Sequence, residues 1–475
     1  MLLQIRLPQK LTDMEEAAHY GDQLSTVDSK GKRKWIYALQ PKGKLYKYRS
    51  LLSLVYLLAF FGLPFVRIKG VPLFLFNFPQ ATFIFFGKVF LPQDFILLGI
   101  GMLAVLLFII VFTFVYGRVF CGWACPQTIF MEMVFRRIEY WIEGPAQKQR
   151  ANDHKEWTTE LYVRKGIKHM VFFLLSFLIA NTFLAYIIGT EALYHIMTDP
   201  VSEHIGGFLA ILGFTIAFYV VYAFVRELVC TVVCPYGRLQ SVLLDKNSLV
   251  VAYDYIRGEP RGKRKKTEAN APAGDCIDCN MCVQVCPTGI DIRNGLQLEC
   301  TNCTACIDAC NMMMEKVHKP LNLIRIASEA AIAENRKPRI NYRTKGYAAV
   351  LIALLIVLSS LIITRAKFDA TVLRVPGQVL QENPDGTVSN LYRIKIVSKS
   401  MRPESYRLAL DSKDARIEYV GKHLDSLYTG KSAEETFFIK VDTGKVMRRK
   451  EQYTLRILSG DELIQTKEVT FIGTY

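Results

Sequence analysis

Cys276-Ile-Asp-Cys279-Asn-Met-Cys282-Val-Gln-Val-Cys286-Pro287 is followed, after a short spacer, by Cys300-Thr-Asn-Cys303-Thr-Ala-Cys306-Ile-Asp-Ala-Cys310. The spacing C-x2-C-x2-C-x3-C therefore occurs twice, the run with which bacterial ferredoxins hold two [4Fe–4S] clusters. Three close cysteines on a tight loop supply three corners of a tetrahedron; the fourth lies on the helix that follows and reaches the other cluster. This gives Cys276, Cys279, Cys282 and Cys310 as one ligand set and Cys300, Cys303, Cys306 and Cys286 as the other. Structural zinc would use two separated pairs per site, which a duplicated three-plus-one run does not match. Asn311 stands where Pro287 stands in the first run. Proline there only ends the loop, so cluster binding is expected to survive its absence.

Of 475 residues, 51% are apolar, and the mean hydropathy is +0.19, too high for an ordinary soluble enzyme. The net charge of +16 could suggest nucleic acid. Instead, the Lys and Arg flank apolar stretches, the positive-inside pattern of a membrane protein, so no nucleic-acid partner is expected. The twelve cysteines fall into the two quartets and two C-x3-C pairs, with none left for disulfides. That usage suits metal and redox work on the reducing side of a membrane. Residues 1–47 are polar and basic, with Lys30, Lys32, Arg33 and Lys34 before Trp35, and no cleavable signal peptide is expected. They read as a solvated cytoplasmic arm resting on anionic lipid, without chemistry.

Five stretches are long and apolar enough to cross a bilayer, near 48–66, 94–116, 168–188, 206–228 and 346–364. The Phe-rich stretch 71–91 reads as re-entrant or interfacial rather than spanning. Eight Lys or Arg lie in 117–167 and none in 189–205, which carries Glu191, Asp199 and Glu203. The N-terminus, the 117–167 loop and the cysteine-rich insert thus face the cytoplasm, and an odd number of spans sends the C-terminus to the periplasm of a bacterial inner membrane. The predicted domains are the arm 1–47, a membrane domain 48–256, a linker and ferredoxin domain 257–345, the fifth span 346–364 and a C-terminal domain 365–475. In that last domain short alternating runs at 368–375, 392–397, 404–410, 415–420, 435–441, 452–458 and 467–473, with turns such as Asn383-Pro-Asp-Gly386, predict an immunoglobulin-like sandwich. The fold class is thus a multi-domain membrane protein: a five-helix transmembrane bundle, an inserted bacterial-type 2[4Fe–4S] ferredoxin domain and a C-terminal all-β sandwich.

The second and fourth spans run into matching motifs, Arg118-Val-Phe-Cys121-Gly-Trp-Ala-Cys125-Pro126 and Arg226-Glu-Leu-Val-Cys230-Thr-Val-Val-Cys234-Pro235. Proline disfavours helix for the residue before it and suits the first helical position, so Cys125 and Cys234 should each cap a new helix. The helix dipole, with Arg118 and Arg238 nearby, should favour thiolate there. Two such pairs on one membrane face suit a soft metal, copper(I) first, with iron–sulphur and zinc next. A shared site is the expectation; cysteine as a small apolar filler is the bland reading. In the outer loop, His195, Met197 and His204 could touch copper or haem, although loop histidines are more often solvated.

Phe90-Leu-Pro-Gln-Asp-Phe95, Cys121 through Thr128, Cys234-Pro-Tyr-Gly-Arg-Leu-Gln-Ser241, Arg257-Gly-Glu-Pro-Arg-Gly262 and Gly274 through Cys310 together resemble the CcoG/FixG/RdxA family of cytochrome c oxidase accessory proteins. The likeness runs from about residue 31 to the end and departs at Thr231–Val233 and Asn311. It implies a role in assembling a cbb-type haem-copper oxidase, with cytoplasmic electrons reducing copper(II) to copper(I). On that reading Cys121, Cys125, Cys230 and Cys234 hold copper and carry out the reduction, two [4Fe–4S] clusters feed them, and the partners are the oxidase or its assembly factors and a soluble electron donor. A homodimer is a candidate state. One alternative is a quinol-linked electron-transfer subunit of a respiratory oxidoreductase, since polyferredoxins of nitrate and nitrous oxide respiration share the C-x3-C-P motif. Another is a non-redox assembly scaffold working through the C-terminal domain.

Overall fold

The computed structural model describes residues 26–27, 32–68, 70–262, 274–336, 341–365, 368–375, 380–398, 404–412, 414–421, 426–427, 432–445, 450–459 and 462–473. Lys30, most of the linker and the side chain of Arg238 lie outside the described residues. Five helices are long and apolar enough to cross a membrane: Lys44–Phe65, Phe95–Tyr116, Thr159–Ile188, Ile205–Val225 and Tyr342–Ile363. They match the five predicted spans. Only 6% of the apolar window in the second and fifth is buried inside the protein, so their Leu, Ile and Phe side chains need a lipid solvent. The third starts nine residues before the predicted edge because its polar turn from Thr159 continues the helix beyond the apolar stretch.

The chain divides into two compact units. One comprises residues 1–61, 102–182 and 200–355; the other comprises 62–101, 183–199 and 356–475. In the second, the Phe-rich stretch is neither a helix nor a re-entrant hairpin. It forms an antiparallel meander of Phe74–Asn77, Thr82–Phe85 and Lys88–Phe90. Positive φ at Ala81, Phe86 and Gly87 makes its two turns. Val71, Ile84, Val89 and Leu91 pack with Val397, and, as expected, the stretch is not among the helices long and apolar enough to span.

The immunoglobulin-like domain pairs strands Ala415–Val420, Ser432–Asp442, Thr387–Ser398 and Phe368–Arg374 in one sheet and Arg407–Leu410, Lys450–Ser459 and Glu462–Ile472 in another. Alternate residues Val388, Tyr392, Ile394 and Ile396 point inward against Phe437, Ile439, Leu455, Ile457 and Phe471, the period-two pattern of a sheet with one buried face. The predicted turn at Asn383–Gly386 is present, closed by Gly386 N–H donating to the Asn383 carbonyl at 3.2 Å.

In the first unit the ferredoxin insert is flanked by the antiparallel pair Val250–Tyr253 and Ile324–Ala327. The N-terminal arm differs from its expectation. From residue 32 on it packs onto this unit instead of lying in solvent. Arg33 pairs with Glu227 at 3.1 Å, and Trp35 lies under both Arg33 and Arg226. Leu39 N–H donates to the Gln284 carbonyl at 2.8 Å, and Tyr46 N–H donates to Asp308 at 2.8 Å. A basic segment with aromatic and acidic partners this specific is structural.

Candidate iron–sulphur and four-thiol site

Each ferredoxin loop winds through left-handed backbone at matching positions: Asp278 and Asn280 in the first, Asn302 and Thr304 in the second. Asn and Asp tolerate this conformation better than most residues, so the loop sequence permits the tight turn that brings three sulphurs inward. Cys276, Cys279, Cys282 and Cys310 line one cavity, together with Ile277, Tyr253 and Met314. Cys300, Cys303, Cys306 and Cys286 line another, which Cys282 also touches. The exchange of fourth cysteines expected from spacing is thus the arrangement in space. Burial pushes the thiols of Cys282, Cys300 and Cys310 up to about 12 and that of Cys286 to about 11. A buried neutral thiol yields its proton to a metal, so these cavities fit a cluster whose assembly drives deprotonation.

Asn311 has its own reason. Cys310 lies inside the helix Ala305–Lys316, which runs six residues past it, where a proline would clash with the preceding turn. Asn311 accepts instead from Asn322 N–H at 2.7 Å. Pro287 follows the short helix Met281–Gln284, which has already ended. Arg257 of the Arg257–Gly262 passage binds Asp275 at 2.7 Å, as does Lys319 at 2.5 Å, fixing the approach to Cys276.

The two C-x3-C-P motifs share one backbone geometry. Cys125 N–H donates to the Phe120 carbonyl at 2.9 Å and Cys234 N–H to the Val229 carbonyl at 2.7 Å, each a wide turn closing over five residues. Cys125 and Cys234 are extended N-caps, followed by proline at the first helical position. Wide π-type turns also occupy Ile129–Phe135 and Val221–Val225, a feature that concentrates at functional sites.

The motifs interlock. Cys121 Sγ lies 3.0 Å from Gln240 Oε1 of the second motif's helix. Thr128 of the first lies against Cys230 of the second. A Cβ on Gly237 would meet the Cys230 carbonyl at 2.6 Å and Arg118 Nη2 at 3.1 Å. Cys121 is within electrostatic reach of Cys125 and Cys234, and Cys230 of all three others. Burial pushes Cys121 up to about 11 against the pull of Arg118, and Cys230 up to about 12.

Sequence spacing gave no sign that this four-thiol site abuts the ferredoxin insert. A Cβ on Gly122 would lie 2.5 Å from the Thr301 carbonyl oxygen and 2.8 Å from Cys303 N and Cα. Arg118 donates to the Leu298 carbonyl, and Cys230, Thr128, Pro287, Thr288 and Thr301 share a cavity. Beside it, Arg226 at positive φ binds Glu139 through two guanidinium nitrogens. Burial alone would raise the Glu139 carboxyl, but Arg226, Lys168 and Arg136 hold it below its ordinary value. Gly122, Gln240, Thr128 and Glu139 were not singled out from sequence, since only the fold shows their neighbours. The outer-loop candidates stand differently: His195 and Met197 lie on the exposed helix Thr190–Thr198, with His195 Nδ1 3.3 Å from Asp199, and His204 caps the helix from Ile205.

Apolar spans, a ferredoxin insert and an immunoglobulin-like domain define a membrane iron–sulphur electron-transfer protein. Residues 225–329 match the model of a "4Fe-4S dicluster domain", 98–144 that of a "4Fe-4S binding domain", and 358–474 that of the "IG-like fold at C-terminal of FixG". The chain is 32% identical to "Protein RdxA" of Cereibacter sphaeroides over 69% of its length and 71% of that protein. It is 30% identical to "Protein RdxB" of the same organism over 70% and 72%, and 34% identical to "Nitrogen fixation protein FixG" of Rhizobium meliloti over 64% and 59%. The chain belongs to the CcoG/FixG/RdxA family.

Proposed function

We propose that this protein carries electrons from a soluble cytoplasmic donor to copper(II), yielding copper(I) for the assembly of a cbb-type haem-copper oxidase. Cys276, Cys279, Cys282 and Cys310 would hold one [4Fe–4S] cluster, and Cys300, Cys303, Cys306 and Cys286 the other. When bound, such clusters supply one-electron carriers whose potentials span roughly −700 to +450 mV. Cys121, Cys125, Cys230 and Cys234 form the terminal site, where each copper(II) takes one electron.

The observation that carries this reading is the contact of Gly122 with Thr301 and Cys303. That contact supports taking the Cys300–Cys306 loop as the handover point, with Cys276–Cys282 nearer the donor. Thiolate donors favour the cuprous product over the cupric substrate, so the terminal site stabilises what the reaction makes. The lysine and arginine distribution supports a cytoplasmic face for the cysteine-rich loops and a periplasmic C-terminal domain, the domain best suited to dock oxidase assembly factors.

The test is Cys121→Ser with Cys125→Ser in anaerobically purified protein. The ferredoxin signals should persist and respond to reductant, while cupric reduction falls to background. Undiminished cupric reduction in that variant would overturn the assignment.

A further inference from the structure

We propose that Cys121, Cys125, Cys230 and Cys234 together hold a third iron–sulphur cluster, so that copper is reduced beside this quartet rather than chelated by it. This rests on the relay reading in taking the quartet as the terminal site, and it replaces direct copper ligation by the four thiolates with a resident centre.

The first ground is spacing. A single ion with metal–sulphur bonds of about 2.3 Å draws its ligand sulphurs to roughly 3.8 Å from one another. Among the described residues, which include all twelve cysteines, no three cysteine sulphurs lie within 4.8 Å of one another. In this the terminal quartet is like the two ferredoxin quartets, each of which lines a cavity of its own.

The second ground is the surrounding chemistry. Four thiolates on a cluster leave net negative charge, which needs donors around it. Arg118 is buried, and its Nε has no partner among the described residues. The buried Thr128 hydroxyl lies against the Cys230 thiol, placed to donate to a thiolate there. Gln240, fully buried, presents its amide to Cys121, and a turn of that amide would offer N–H to a thiolate. The charged group bearing on Cys121 besides its fellow thiols is Arg118, a cation.

The third ground is the repeat. The 4Fe-4S match over 98–144 contains only Cys121 and Cys125, half the ligands any such cluster needs. The interlocked second motif supplies the other half.

Iron, acid-labile sulphide and copper would be counted per chain in the anaerobically purified full-length protein, together with Mössbauer and reduced-state EPR spectra. Iron near twelve, or near ten if the third centre has two irons, supports the proposal. In Cys121→Ser with Cys230→Ser, iron should fall to about eight while both ferredoxin EPR signals remain, which also certifies the fold. Iron near eight in the unmodified protein, with copper lost in that variant, would overturn it, and that measurement does not depend on any variant folding. Cupric reduction is assayed separately. Its absence at twelve irons would sink the relay and leave the cluster; its presence at eight would do the reverse.

Discussion

Gly122 is the residue on which the proposed handover turns. Its missing side chain lets the Cys121–Cys125 helix touch the backbone of Cys303, and the groups in the way are main-chain atoms that cannot swing aside. Gly122→Ala should cost about 1–3 kcal/mol of stability, the usual range for overpacking. It should also slow cupric reduction more than it slows reduction of the ferredoxin centres by dithionite, as stopped-flow absorbance would show. Gln240→Leu removes a potential N–H donor from Cys121. Hydrogen bonds to cluster sulphurs tune the potential, and losing a donor destabilises the more negative reduced form. A lower midpoint of the terminal centre in a redox titration, with unchanged ferredoxin midpoints, is the expected result. Glu139→Ala strands the Arg226 guanidinium in a buried site and should cost about 3–5 kcal/mol, read as a lower Tm in detergent. None of these three positions was legible from sequence, because each acts through a partner 80 or more residues away.

At the scale of elements, what could be read in advance was what local rules govern. Apolar length located all five spans, because a lipid-crossing helix must be long and uncharged. The duplicated cysteine run located both ferredoxin cavities, because the exchange of fourth ligands follows from the spacing. Cysteine before proline located two helix caps, because Cys125-Pro126 and Cys234-Pro235 obey a local steric rule. The Phe-rich stretch was rightly kept out of the spans, but its strands were not legible, because strands of three and four residues, Phe74–Asn77 among them, are too short to show alternation. The arm misled because charge runs are usually solvated, whereas Trp35 and Arg33 find partners far along the chain. In the C-terminal domain alternation decided the matter. Phe437, wholly buried at the centre of its sheet, should cost roughly 3–5 kcal/mol on truncation to alanine, measurable as the denaturation midpoint of that domain's transition.

For the whole molecule, the charge asymmetry of the loops is the basis of the proposed topology. Green fluorescent protein fused to the N-terminus should fluoresce, and alkaline phosphatase fused after Tyr475 should be active, since that enzyme matures only outside the cytoplasm. An inactive phosphatase fusion on a stable, full-length product would reverse the proposed topology. The arm from residue 32 belongs to the same picture. By binding Gln284, Asp308 and Glu227 it links, within one compact unit, the ferredoxin insert to the segment that carries Cys230 and Cys234.

The crossing of Cys286 and Cys310 into each other's cavities has one more consequence. Neither loop is a nest on its own; each lacks a corner that only its twin can fill. On the proposed ligation, damage to one loop takes a corner from both centres, and the pair stands or falls as a single unit, like two halves of an arch sharing a keystone.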